Sequence, residues 1–226
     1  METIIKTENI KKCFPVFGAD DFYALKGLSM EIPKGELTIL KGRSGSGKTT
    51  LLNMLSALDT PSEGKIYFDG NEITKYNANG REKLRRYEIG YIFQTVALLP
   101  VMNAYENVEF GLRLAKFKGN YDQRIKECLE QVGMEKRMKH MPYEMSGGEQ
   151  QRVAIARAIA HKPKVIFADE PTASLDSTMS LQVVKVFKEL IQKEKVTIVM
   201  TTHDTDLMDV GSKLYELEDG EIIGSK

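Results

Sequence analysis

The chain has 226 residues, 42% of them hydrophobic, enough to bury a full core in one large domain or two small lobes. Thirty-two basic side chains balance thirty-two acidic ones, giving a formal net charge of +0 and a pI near 6.9. A general electrostatic grip on nucleic acid or anionic lipid is therefore not written into the composition, and no nucleic-acid partner is expected. The cysteines, Cys13 and Cys128, stand far apart without metal-type spacing, which fits packing residues in a reducing compartment rather than a disulfide scaffold. The opening METIIKTENIKK is too polar for a signal peptide, and no apolar run approaches the roughly 18 residues of a membrane span. No direct membrane insertion is expected, so any membrane role must come through a partner.

In chain order, β-rich runs come first: ETIIKTENI at 2–10, LSMEI at 28–32, and ELTILK at 36–41, which leads into a glycine-rich loop and a helical KTTLLNMLSAL. GKIYFDGNEI reads as a hairpin turning at Asp69-Gly70. After IGYIFQ at 89–94 the texture changes: residues 103–160 carry helical spacing with hardly a strand candidate, as in NAYENVEFGLRLAKF and YDQRIKECLEQV. Residues 95–160 are read as a helical subdomain inserted into a mixed α/β core formed by 1–94 and 161–226. The α/β pattern resumes with VIFAD at 165–169, a helix over 178–194, VTIVMTTH at 196–203, and a closing hairpin of KLYEL and DGEII. Runs as apolar as VIFA and VTIVM suit strands covered on both faces of a parallel sheet. LTIL leads to the glycine loop, VIFA to Asp169-Glu170, and VTIVM to Thr201-Thr202-His203. Parallel strands would bring these polar ends together at the carboxyl edge, where open α/β sheets bind ligands.

Residues 42–49, GRSGSGKT, satisfy G-x-x-x-x-G-K-[ST] between a strand and a helix. Gly42, Gly45 and Gly47 let the backbone curl so that its N–H groups face phosphate oxygens, helped by the positive helix end. The ATP cradle is assigned to Gly42, Arg43, Ser44, Gly45, Ser46, Gly47, Lys48, Thr49 and Thr50. Lys48 reaches the β and γ phosphates, and the Thr49 hydroxyl is the natural Mg²⁺ ligand. Asp169, ending a hydrophobic strand, suits the Mg²⁺ carboxylate, and Glu170 is placed to polarise the attacking water. Two adjacent carboxylates repel unless a cation or solvent relieves them. His203 can donate to the γ-phosphate or hold the water in line.

A second glycine-bearing helix start, MSGGEQQR at 145–152, needs its own explanation. Ser146-x-x-Glu149 has the form of a capping box. Capping gives no reason for Gly147 and Gly148 in the first turn, where each costs about 1 kcal/mol relative to alanine. Bare backbone at a helix N-terminus makes sense where a phosphate approaches closely. The chain's own ATP is already held by the first loop, so the second is read as serving the ATP of another copy. Two subunits would pair head to tail on ATP binding, and hydrolysis would release the contact.

The phosphate loop, Gln94 after IGYIF, MSGGE, FADE, Ser174-Leu175-Asp176 and His203, in this order, resemble the nucleotide-binding subunit of an ATP-binding cassette (ABC) transporter over essentially the whole chain. The resemblance implies a P-loop NTPase fold of the α/β class: a RecA-like core, an N-terminal antiparallel β subdomain and the inserted α-helical subdomain. It implies Mg²⁺ with ATP, an ATP-dependent homodimer, and an integral membrane permease that holds the subunit at the cytoplasmic face of the membrane. Phe14 falls where the family stacks an aromatic on adenine, though Phe14 reads equally as core without it. Gln94 would touch Mg²⁺ and sense the permease. Asp176 would communicate across the dimer, and it also reads as a helix cap. Met145 and Glu149 stand where leucine and glutamine are usual, and Glu149 brings a possible negative charge near a phosphate. YALKGLSMEI, the LLP at 98–100 and DEPTASLDS resemble the branch serving macrolide efflux, lipoprotein release, antimicrobial-peptide resistance and cell division. The LLP would lie near the groove that receives a permease helix. A rival reading keeps the ATPase but has it regulate an extracytoplasmic enzyme mechanically through a membrane partner. The basic run REKLRRYE at 81–88 reads as a solvated helix face.

Overall fold

Alternation along the central strands assigns each apolar side chain to one of two cores. The computed structural model describes residues 2–18, 20–173, 175–204 and 210–226, so Ser174 lies outside the described residues. A six-stranded sheet runs in the order β10 (Glu221–Ser225), β9 (Lys213–Glu218), β3 (Leu37–Lys41), β8 (Thr197–Thr202), β7 (Val165–Ala168), β6 (Ile89–Ile92). All neighbours are parallel except the β9/β10 hairpin at the edge. Ile39, Ile166, Ala168, Ile198 and Met200 join one core, whereas Leu40, Val165, Phe167 and Val199 join the other. Successive side chains of a strand point to opposite faces, and here both faces are covered, which is why these runs are apolar without interruption.

The second core holds α1 (Lys48–Leu55), through Leu51, Leu52, Met54 and Leu55, between the six-stranded sheet and a four-stranded antiparallel sheet. That sheet runs β2 (Phe22–Pro33), β1 (Thr3–Phe14), β4 (Glu63–Phe68), β5 (Asn71–Glu72). β1 and β2 are twelve residues each, longer than the apolar runs ETIIKTENI and LSMEI suggest. Cross-strand pairing from Thr3↔Pro33 to Phe14↔Phe22 carries the ladder into polar flanks that have no apolar pattern of their own.

The first core packs the opposite face of the sheet against α6 (Ser177–Glu194) and a helical layer. The layer comprises α3 (Ala104–Leu114), α4 (Tyr121–Gln131) and α5 (Gly147–Ile159). Asn103 and Asn120 cap the first two, with Glu106 completing a capping box at Asn103. The buried Arg124 of α4 donates to the carbonyls of Ile159 and Ala160 at the end of α5, at 2.8 and 2.9 Å, and to Glu194 of α6 at 3.0 Å. It thereby satisfies carbonyls that a helix end leaves open and joins the layer to the core. Cys128, fully buried beside it, has its thiol pushed up to about 12 by burial, in keeping with a packing role. The run at 81–88 lies on α2 (Ala78–Glu88), whose one buried residue is Leu84, in accord with a solvated face. Among the described residues no helix is long and apolar enough to cross a membrane.

Candidate active site

Parallel register aligns the strand ends. Lys41 pairs with Thr202, Ala168 with Met200, and Ile92 with Ala168, so the loop at 42–47, Asp169-Glu170, His203 and Gln94 all leave the same edge of the sheet. At this edge lies a cavity of about 730 Å³ whose walls include Arg43, Gly45, Lys48, Thr49, Gln94, Glu170 and His203.

The loop is shaped by its glycines. Gly45 and Gly47 have φ of +83° and +99°, a region that L side chains rarely adopt. A Cβ on Gly42 would lie 2.4 Å from Leu217 O, and one on Gly47 would lie 2.7 Å from Ala24 O, so the loop is clamped by backbone on both sides. A Cβ on Gly45, by contrast, would meet nothing within 4 Å. That face of the loop is open to a ligand. Ser46 Oγ is buried on the closed side, next to Gly42. Lys48, 5% exposed, directs its ammonium to the carbonyls of Gly42 and Arg43 at 2.8 and 3.0 Å. A lysine ammonium at the cavity wall and an open glycine face at a helix N-terminus fit a phosphate chain.

The acidic pair is resolved into two directions. Asp169 is buried, and its Oδ1 accepts from Thr49 Oγ1 at 3.2 Å and from Thr201 Oγ1 at 2.8 Å. Its amide still donates to Ile92 O at 2.9 Å, continuing the strand. Glu170 then turns into the left-handed region at φ 42°, with its amide donating to Thr201 Oγ1 at 2.7 Å. Its carboxylate lies 3.5 Å from Lys48 Nζ, accepts from Gln94 Nε2 at 3.4 Å, and sits 3.3 Å from His203 Nδ1. One carboxylate thus belongs with the Thr49 hydroxyl, and the other faces the nitrogen-bearing side chains of the cleft. A hydroxyl and a carboxylate from adjacent strand ends are the hard oxygen donors that a small divalent cation takes.

Other expected residues lie elsewhere. Ser146 caps α5: its Oγ accepts from Glu149 N at 3.3 Å while Glu149 Oε2 accepts from Ser146 N at 2.9 Å. The amide of Ser146 holds the Glu149 carboxyl below the usual carboxylate range, and Arg137 Nε stands 3.4 Å from its other oxygen. The charge of Glu149 is therefore engaged within the cap. Gly148 is buried, and a Cβ there would lie 2.8 Å from Met179 Sδ of α6, so the helix start packs closely on that side chain. Gly147 is exposed and a Cβ would meet nothing within 4 Å. Among the described residues nothing requires glycine at 147. Asp176 caps α6, accepting from Met179 N at 2.9 Å.

Phe14 ends β1, 41% exposed, with Lys12 Nζ 5.2 Å from its ring centroid. Its register partner Phe22 is among the residues lining the cavity. Phe22 and Thr201 are the site residues to which sequence reasoning gave no role. Thr201 carried a signal, a hydroxyl at the end of an apolar run; Phe22 carried none, because cross-strand register is invisible in one sequence.

A glycine loop opening a helix beside a strand-end carboxylate, at the carboxyl edge of a parallel sheet, defines a P-loop NTPase. The ABC transporter family matches residues 25–173. The chain is 40% identical to the lipoprotein-releasing system ATP-binding protein LolD of Aquifex aeolicus, over 99% of this chain and 98% of that one. It is also 40% identical to the macrolide export ATP-binding/permease protein MacB of Syntrophobacter fumaroxidans, covering 97% of this chain and 31% of that longer protein. Among solved structures, the ATP-binding cassette MJ0796, in a dimeric post-hydrolysis state bound to ADP and Pi, superposes with a TM-score of 0.89 at 37% identity, covering 98% of this chain and 97% of that one. This chain belongs to the ABC transporter family and is an ABC-type ATPase, in the branch that includes LolD and MacB.

Proposed function

We propose that two copies of this chain bind ATP with Mg²⁺ between them, head to tail, and drive a membrane permease of the export or lipoprotein-release type from the cytoplasmic side. In this reading the amides of residues 43–49 and Lys48 hold the phosphates. Thr49, Gln94 and Asp169 would hold Mg²⁺, which when bound supplies charge neutralisation and alignment of the β and γ phosphates. Glu170 accepts a proton from the attacking water while His203 donates to the γ-phosphate. Ser146, Gly147 and Gly148, with Glu149 completing their cap, face the nucleotide of the partner copy, and Asp176 lies on the face turned to that copy. Residues 95–160 act as the subdomain that carries this signature.

The observation that carries the proposal is that α1 and α5 belong to different cores on opposite faces of the six-stranded sheet. A single nucleotide bound at the start of α1 is not shared with the start of α5 of the same chain, and Gly147 stays open. The dimeric state of the relative's cassette supports pairing of two copies. A permease surface is supported by an apolar cavity of about 400 Å³ between α2, β6, α3 and α5, whose lining includes Phe93, Phe110, Leu114 and Arg157. Leu98 packs on the helical core instead, and Asn107 anchors Leu99 through both its amide and its carbonyl. The test is association of Glu170→Gln with and without ATP. Slowed hydrolysis should accumulate an ATP-bound dimer, and a chain that stays monomeric at saturating ATP would refute the shared site.

A further inference from the structure

We propose that Thr201 is a positioning residue for hydrolysis: its one hydroxyl, bonded to both the Asp169 carboxylate and the Glu170 amide, sets the direction of the two acidic side chains together. The inference rests on the reading of Asp169 and Glu170 as the metal-holding and water-polarising groups.

Thr201 sits near the end of β8, paired with Leu40, and is 0% exposed. Its branched side chain is stiff at χ1 and has no route to water. The polarity of its two bonds is forced. The Glu170 amide can only donate, at 2.7 Å, so the hydroxyl proton must go to Asp169 Oδ1, at 2.8 Å. The residues before Thr201 in the strand, Ile198, Val199 and Met200, are apolar and buried. A buried hydroxyl in such a run costs free energy unless it is bonded, and here both bonds are made.

What this bridge achieves follows from the backbone. Asp169 continues the strand ladder to Ile92, whereas Glu170 leaves it at φ 42°, a conformation that a residue with a Cβ keeps only when its surroundings hold it there. The amide freed by that turn is the one that Thr201 accepts. Because of the turn, the Glu170 carboxylate faces Lys48, Gln94 and His203, while the Asp169 carboxylate stays with Thr49. Two adjacent carboxylates that would otherwise repel are thereby aimed at different tasks. Thr202 does not duplicate the role, since its Oγ1 accepts from Asp204 N at 3.0 Å.

The test crosses shape against hydroxyl. Thr201→Val keeps the shape and removes the hydroxyl; Thr201→Ser keeps the hydroxyl and removes a methyl. Steady-state ATPase assays on the full chain should show kcat reduced about tenfold or more in Thr201→Val with little change in KM for ATP, and near wild type in Thr201→Ser. Amide exchange without nucleotide or Mg²⁺ gives a second readout. The Glu170 amide should exchange about tenfold or more faster in Thr201→Val but not in Thr201→Ser, while the Asp169 amide stays protected in both. Wild-type kcat and Glu170 protection in Thr201→Val, or loss of both in Thr201→Ser, would overturn the proposal in favour of packing. If Thr201→Val does not fold, Thr201→Ser decides alone by the same two readouts: retention supports the role, loss refutes it. Glu170→Gln is the control, because full hydrolysis by that variant would refute the reading of Glu170 itself whatever Thr201 does.

Discussion

The starts of α1 and α5 are both glycine-bearing helix N-termini, yet one is closed by its own chain and the other is left open. At α1, backbone oxygens crowd Gly42 and Gly47 to within 2.4 and 2.7 Å of where a Cβ would stand, and Lys48 and Thr49 are tied to neighbouring groups. At α5 the bonds of the capping box are local, Gly147 faces empty space, and Ser146 is exposed. A site finished within one chain is built tightly because its geometry must be held without help. On the proposed reading the start of α5 is a half-site, and its surface stays bare because its remaining contacts would come from the partner copy.

The largest effect that would test this contrast is on the closed side. Glu170→Gln should slow hydrolysis on the order of 10²–10⁴-fold while leaving ATP binding intact, as read by turnover and by equilibrium nucleotide titration. Paired alanine substitutions come next. Gly47→Ala, forced to hold φ 99° against Ala24 O, should destabilise the monomer by about 1–3 kcal/mol and abolish nucleotide binding, seen in thermal denaturation with and without ATP. Gly147→Ala should leave monomer stability unchanged or raised by up to about 1 kcal/mol, since alanine is the better helix former. The same variant should weaken ATP-dependent pairing of the Glu170→Gln chain, measured by sedimentation. Equal damage to the monomer from both alanines would erase the distinction between built site and half-site.

Smaller effects sharpen the comparison. Phe22→Ala should weaken ATP binding more than Phe14→Ala does, by about 1 kcal/mol if the ring stacks on the base, because Phe22 lines the cavity. The reverse order in a nucleotide titration would restore Phe14 as the stacking ring. Glu149→Gln should leave pairing intact or tighter, since the carboxylate is already engaged by the Ser146 amide and Arg137 and glutamine keeps the cap without the charge. The cap is also pH-sensitive. The folded-state pKa of Glu149 is lowered below 4.5, so the stability it adds is present above that pH and fades as the pH falls through the lowered value. In a pH series of thermal melts, Glu149→Gln should differ from wild type near neutrality and converge with it in acid.

Much of the site was legible because its chemistry is local. The loop at 42–49 needs contiguous residues, and Asp169-Glu170 and His203 follow directly on apolar runs that only a covered strand explains. The capping box at Ser146 and the cap at Asp176 were equally readable, since each bonds three residues on. What the sequence did not disclose is that Gly148 also lies against Met179, thirty-one positions away in sequence. The run at 98–100 gave no hint that Asn107, fully buried, would hold it in place.

The sequence by itself determined which elements form, which strands are buried on both faces, and which residue types sit at the strand ends, because periodicity and turn chemistry act over a few residues. Only the tertiary structure decided which ends meet. Parallel register set Thr201 between Asp169 and Glu170, and the antiparallel pairing of β1 with β2 laid Phe22 rather than Phe14 along the cavity. The two-sided sheet sent α1 and α5 to opposite faces. Pairing and packing join residues far apart in the chain, and their outcome depends on the shape of the whole core rather than on any single segment.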